Sequence, residues 1–186
     1  PGLGAQEPTS TWSFRVRAVI SGSSHDSEPK GYQVYSGVAL SAALVRSLGD
    51  EFSAELSFHT ESREVTGPDV AGVSGPLGSL EMIPLAALVR WHPRGGGGAD
   101  LQPYIGVGGS FTGTWEKSGA LDSSNLAPHV GPAMQLGSDL ALSSTVLLNF
   151  DMKWQTLSIE IEDLLPTLPS VEIDPLVFGL GLGFSF

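Results

Sequence analysis

The sequence predicts an all-β fold, an eight-stranded antiparallel transmembrane β-barrel. Three observations carry that expectation. The stretch Val171 to Phe186, VEIDPLVFGLGLGFSF, alternates: Leu176, Phe178, Leu180, Leu182, Phe184 and Phe186 recur at every second residue, with small Val177, Gly179, Gly181, Gly183 and Ser185 between them. A period of two is a strand, since successive side chains point to opposite faces. A strand that is apolar along one whole face and nearly bare on the other suits a barrel in a bilayer, which must be greasy outside and paired at every edge. Second, similar alternation recurs in about seven earlier stretches. Third, charged residues make up 16% of the 186 residues, where about a quarter is usual for a soluble domain.

Composition narrows the function. The formal net charge is -11, so nucleic acid is a poor partner, because phosphate binding needs a basic surface. There is no cysteine, hence no disulfide framework or Cys-based metal site. No apolar run approaches the roughly 20 residues of a spanning helix. No signal segment is evident at the start, so an exported form is expected to have had its signal peptide removed.

Taken in order, residues 1–11 read as a loose lead-in rich in Gly and Pro, and 12–186 as one barrel domain. Trp12 to Ile20 is the first strand, with Trp12, Phe14, Val16, Ala18 and Ile20 on one face and Ser13, Arg15, Arg17 and Val19 on the other. Val34 to Arg46 is the second, and Leu48-Gly49-Asp50 turns the chain into the third, Phe52 to Thr60. Glu61 to Ser79, punctuated by Gly and Pro, reads as a long loop. The fourth strand is Leu80 to Trp91, with Ile83, Leu85, Ala87, Val89 and Trp91 outward. Gly95 to Gly98 marks a turn. The fifth strand is Leu101 to Trp115 and the sixth Leu126 to Gly137. After a turn at Ser138 to Ala141, the seventh runs from Leu142 to Ile161, the longest. The stretch from Val171 is the eighth. Connections alternate short and long, as short periplasmic turns and longer extracellular loops do in bacterial barrels.

Several stretches resemble one family. Leu101-Gln102-Pro103-Tyr104-Ile105-Gly106-Val107-Gly108-Gly109 is similar to the "PYvGaG" segment of the outer-membrane protein W (OmpW) family. Val171-Glu172-Ile173-Asp174-Pro175-Leu176-Val177, followed by Gly181-Leu182-Gly183-Phe184, resembles that family's "idPwv…glGyrF" ending. The glycine run at 95–98 and the acidic, proline-rich stretch from Glu160 to Pro175 depart from it. The resemblance implies a bacterial outer-membrane location, with lipid and lipopolysaccharide as surroundings. It also implies a narrow, partly hydrophobic lumen and passive uptake of small hydrophobic molecules, as in related alkane-uptake barrels.

Candidate residues follow from their faces. Arg15, Arg17, Glu55, His59, Asn149, Asp151 and Lys153 fall on the non-greasy faces and would point into the lumen. Charges in a narrow lumen must pair, as a static plug or as a selectivity site; Glu55 with Arg15 or Arg17 is the expected pair. Trp12, Trp91, Trp115 and Trp154 fall where aromatic girdles would sit at the two bilayer interfaces. Proline lacks an N–H and is kept out of paired strands. Pro128 and Pro132, with Pro84 as a second candidate, therefore mark places where the wall could open and release a solute sideways. Leu164, Leu165 and Leu168 could collect a solute at the mouth. The Phe184-Ser185-Phe186 ending resembles the signal by which the barrel-assembly machinery recognises its substrates.

Catalytic signatures are absent: there is no G-x-S-x-G elbow, and Gly106 to Phe111 fails G-x-G-x-x-G at its last position. His25, His59, His92 and His129 are too scattered for a metal motif, and no cofactor is expected. Two alternatives stand beside the channel. One is a structural or adhesive barrel whose loops bind a partner. The other is a soluble lipocalin-like carrier, since Gly113-Thr114-Trp115 mimics a Gly-x-Trp motif. These two differ in which face the greasy residues occupy.

Overall fold

The computed structural model describes residues 12–23, 33–70, 73–93, 101–119, 128–159, 171–172 and 175–186. They form β1 (Trp12–Ser23), β2 (Gln33–Ser36), β3 (Val38–Ser47), β4 (Phe52–His59), β5 (Glu61–Val70), β6 (Val73–Trp91), β7 (Leu101–Lys117), β8 (His129–Ala141), β9 (Val146–Gln155), β10 (Ser158–Ile159), β11 (Val171–Glu172) and β12 (Pro175–Ser185). β2 and β3 are one stave interrupted at Gly37, and β4 and β5 one stave interrupted at Thr60. β10 and β11 are a short ribbon that prolongs β9 and β12. That leaves eight antiparallel staves, closed by the pairing of β12 with β1.

The stagger of the closed wall can be read from its register. Paired residues lead from Trp12 through Arg46, Ala54, Val89, Val107, Met134, Trp154 and Leu176 back to β1 at Gly22. The circuit returns ten residues beyond its start, so the strands tilt, as closure requires. One end of the barrel holds Trp12, Phe186 and the turns at 48–51 and 142–145; it is called the turn end here. The β5–β6 hairpin lies at the opposite end, the loop end. At the first turn Gly49 has φ 128°, a conformation that L side chains rarely adopt.

The molecule is apolar outside and polar inside. Phe14, Val16, Leu56, Phe58, Val107, Phe150, Phe178 and Leu180 are exposed, while Arg15, Arg17, Glu55, Ser57, Gln135, Asn149 and Asp151 are buried. A soluble carrier needs the reverse, so the lipocalin alternative is excluded: Trp115 of its mimic points outward, 67% exposed. Of the residues assigned outward on β6, Leu85, Ala87, Val89 and Trp91 are exposed and Ile83 is half-buried, while Ala86, Leu88 and Arg90 are buried.

Three boundaries differ from the sequence reading. Glu61 to Ser79 is not a long loop; β5 and the first part of β6 form a hairpin there, pairing Glu61 with Met82 and Val70 with Val73. Its Gly and Pro residues sit at irregular rungs, with register shifts after Val65 and after Gly67, so they bend the ladder and do not end it. The last short turn lies at 142–145, not 138–141. Ser143 draws the chain round there, its hydroxyl accepting from the Val146 N–H at 3.0 Å, and β8 therefore continues through Asp139. The seventh strand is correspondingly shorter than expected, and β6 with 19 residues is the longest.

Candidate functional site

The lumen is crossed by a waist of charged side chains. Glu55 on β4 is its centre. Arg17 on β1 donates to both its oxygens, at 3.1 and 3.0 Å. Arg90 on β6 donates to Oε2 at 3.1 Å, and Lys153 on β9 stands 3.5 Å from Oε1. Gln135 on β8 donates to Glu55 at 3.2 Å and to Asp151 at 2.8 Å, tying the third stave to the sixth and seventh. Arg15 donates to Asp139 at 2.7 Å. Asn149 gathers Asp139 and the Tyr104 hydroxyl with its amide nitrogen, at 2.6 and 3.0 Å. The Tyr104 ring lies 4.5 Å below the Arg90 guanidinium, a cation–π contact. Past the end of β6, His92 meets the Ser53 hydroxyl at 2.9 Å. Burial, helped by the Arg90 charge, pushes its pKa down to about 4.

Two glycines make room for this net. A Cβ on Gly179 would collide with Asp151 Oδ1 and come 3.3 Å from Arg17 Cδ; one on Gly181 would strike the Val16 carbonyl. The bare face of the last strand is thus where the arginines lie. Four cations, Arg15, Arg17, Arg90 and Lys153, meet three anions, Glu55, Asp139 and Asp151. All are buried. Parting buried ion pairs of this kind is costly.

Sequence reasoning named Arg15, Arg17, Glu55, Asn149, Asp151 and Lys153, and the structure brings all six together. It places His59 one level higher, 3.7 Å from Glu61. Arg90, Gln135, Asp139 and Tyr104 were not foreseen as members. Arg90, Gln135 and Tyr104 alternate with outward residues, so their faces could have been read. Asp139 was hidden by the misplaced turn.

Above the waist the wall is interrupted. β3 pairs with β4 up to Ser41 and His59, and β2 with β5 from Ser36 and Arg63. Between them, residues 37–40 face 60–62 without pairing, four against three, so the seam between these staves is open. The β4–β6 ladder ends at Phe58 and Leu85 and the β5–β6 ladder resumes at Glu61 and Met82. Pro84, which has no N–H to offer, stands in that gap with its side chain buried. A cavity of about 190 Å³ occupies the seam, lined among others by Val38, Ala39, Thr60, Glu61, Met82 and Trp115. Val38, Thr60, Ser62 and Trp115 face outward and Glu61 and Met82 face the lumen, so the cavity opens on the outer face and is backed by lumen-facing residues. A void of about 150 Å³ already admits a benzene-sized molecule.

Pro132 is outward and exposed, paired with Gly109. Pro128 lies just before β8, not within a strand. Trp12 and Trp91 sit at the turn end, Trp12 under the Arg46 guanidinium at 5.3 Å. Trp115 and Trp154 lie toward the loop end. Phe184 and Phe186 are exposed on the outer face, and the Phe186 N–H donates to the Trp12 carbonyl at 3.0 Å. Leu164, Leu165, Leu168 and Gly95 to Gly98 lie outside the described residues.

An apolar belt around a closed, polar-cored antiparallel barrel defines an outer-membrane β-barrel. The chain matches the OmpW family over residues 16–186, and it belongs to that family. It is 29% identical, over 95% of its length and 80% of the relative's, to an uncharacterized outer-membrane protein, y4mB, of Sinorhizobium fredii. It is 30% identical to outer membrane protein AlkL of Ectopseudomonas oleovorans, over 46% of this chain and 39% of AlkL. Its fold is similar to OprG of Pseudomonas aeruginosa, with a TM-score of 0.69 at 21% identity, covering 95% of this chain and 97% of that one. It is also similar to E. coli outer membrane protein W, with a TM-score of 0.63 at 18% identity, covering 95% and 98%.

Proposed function

We propose that this barrel admits small hydrophobic molecules from the loop end and releases them sideways through its wall. The observation that supports this most is the pairing of a barred axis with an open seam just above it. An apolar solute in the upper lumen meets the Arg17–Glu55 net below it and, beside it, a cavity whose outer lip is Val38, 73% exposed, and Trp115. Each CH₂ moved from water into the bilayer favours exit by about 0.8 kcal/mol. Pro84 contributes by withholding a ladder donor at the seam's far edge. The competing reading, loops that bind a partner, would rest on segments outside the described residues and has no observation in its favour.

The test uses the absence of native cysteine. Cysteines replacing Val38 and Ser62, on the two lips of the seam, are joined by a disulfide or a short dithiol-reactive linker. Uptake of radiolabelled decane by cells carrying the barrel should fall to that of cells lacking it, and return when a disulfide is reduced. Unchanged uptake through the linked, folded barrel would reject the lateral exit.

A further inference from the structure

Beside the seam, the upper lumen is lined by polar atoms that the fold does not use. With the stagger spread evenly over eight staves, Ser21, Glu61, Thr112 and Gln155 fall at one height, with Arg63 and His129 a rung above. Arg63 is fully buried; its Nη2 donates to Glu61 at 2.7 Å and to Ser21 at 3.0 Å. Its Nε and Nη1 have no hydrogen-bond partner among the described residues. The same holds for Thr112 Oγ1, His129 Nε2 and Gln155 Nε2, and for Glu61 Oε2 and His59 Nε2, which face each other at 3.7 Å, beyond hydrogen-bond distance. A buried polar atom left without a partner is costly, so such a collection points to a ligand's polar group. Leu80, Met82 and Leu157, all buried, fill the space between with apolar surface.

The chemistry of the orphan atoms selects the ligand. They include donors, Arg63 and Gln155, and an acceptor, Glu61, with the Thr112 hydroxyl able to do either. The Arg63 and Glu61 charges already cancel in one ion pair, so a charged head would upset that balance. An anion would also approach a chain of net charge -11. A hydroxyl, which both donates and accepts, suits the set. Glu61 lines both this chamber and the wall cavity, so a head held at Glu61 leaves its tail pointing out through the seam.

We infer that the preferred solute is an amphiphile with an uncharged hydrogen-bonding head, a medium-chain alcohol in its simplest form. The head is held by Glu61, Arg63 and Thr112 and the tail by the wall cavity. This inference rests on the lateral-exit reading above.

The test compares initial uptake of radiolabelled decane, 1-decanol and decanoate by cells carrying the barrel, each corrected for cells without it. Decanol should half-saturate uptake at a concentration about tenfold below decane, as one well-made hydrogen bond supplies, and decanoate should not exceed the control. Thr112→Val, which removes only a hydroxyl, should bring the decanol-to-decane ratio toward one. Glu61→Gln with Arg63→Met, which leaves no lone charge, should do the same; heat-modifiability on a gel checks folding of both. Equal wild-type values for decane and decanol, or a preference for decanoate, would overturn the proposal. Decane uptake that stops on linking positions 38 and 62, without any decanol preference, would sink the head-group inference alone. Uptake indifferent to that link would sink the exit route with it.

Discussion

The waist and the chamber above it use the same residue types on the same staves, yet they are finished differently. At the waist each of the seven charged side chains has an opposite charge within 4.0 Å, and the bonds run from wall to wall. The unused atoms there are few, Arg15 Nε and Nη1 and Gln135 Oε1. In the chamber Glu61 pairs with Arg63 at 2.7 Å and faces His59 at 3.7 Å, and around them stand donors and acceptors that have no hydrogen-bond partner among the described residues. The wall follows the same division. Around the waist the ladders are continuous; beside the chamber they lapse at 37–40, 60–62 and 83–84. A barrel in a bilayer must satisfy its backbone internally, so lapses confined to one level are where the proposed exit would cost the wall least. On the lateral-exit proposal, the waist holds the wall in shape and the chamber receives the solute.

The largest effect is expected at the waist. Glu55→Ala leaves Arg17, Arg90 and Lys153 without their shared anion and should destabilise the barrel by about 3–5 kcal/mol. Urea unfolding in detergent measures it. Removing Arg17 as well should recover part of the loss, and strictly additive effects would show that the pair is not coupled. The matching change in the chamber, Thr112→Val, should move stability little, because its hydroxyl has no hydrogen-bond partner among the described residues. An equal loss at both sites would erase the contrast between the two regions.

A smaller effect is expected at the rim. Phe186 closes β12 onto β1 through its N–H to Trp12, and its ring lies 66% exposed on the outer face. We propose that the assembly machinery reads it there. Phe186→Ala should lower the amount of folded barrel in cells while leaving the unfolding midpoint of what does fold nearly unchanged. Unaltered levels on a heat-modifiability gel would count against that role.

Pro84→Val tests the seam more directly. It offers an N–H where the β4–β6 ladder lapses, and one net hydrogen bond of about 0.5–1.5 kcal/mol would favour a closed wall roughly two- to tenfold. Uptake of decane should fall accordingly, and exchange of the amides at 59–61 should slow.

Most of the barrel was legible in the sequence because alternation is a direct imprint of a wall with two unlike faces. The waist was legible for the same reason: a charge on the bare face of a greasy strand has nowhere else to go. What escaped had a physical cause. The hairpin at 61–79 carries Gly and Pro in irregular rungs, which read locally as loop chemistry although its partner strand keeps it extended. Asp139 was hidden by a turn placed four residues early, since Ser138 and Ser143 both look like turn residues and only Ser143 bonds as one. The seam depends on register between staves, where β2 and β3 meet β5 and β4 one residue out of step, and no single strand carries that information.

The smallest effect is expected where the sequence pointed most plainly to an opening. Pro128 and Pro132 looked like two missing donors in one paired strand. Pro128, however, precedes β8, so its missing N–H takes no rung away. Pro132 sits on the last rungs of a ladder that runs on, with Gly131 paired to Ser110 and Val130 to Phe111. On its other side the Thr156 N–H donates to the Pro132 carbonyl at 3.2 Å, so β8 and β9 stay joined. The packing there is also close: a Cβ on Gly131 would run into the Thr156 hydroxyl. Pro128→Val with Pro132→Val should therefore leave decane uptake within about twofold of wild type, since at most one bond of about 0.5–1.5 kcal/mol is at stake, while Pro84→Val lowers it. A fall as large in the double variant as in Pro84→Val would move the exit to the β8–β9 side and take the seam at 37–40 and 60–62 out of the route.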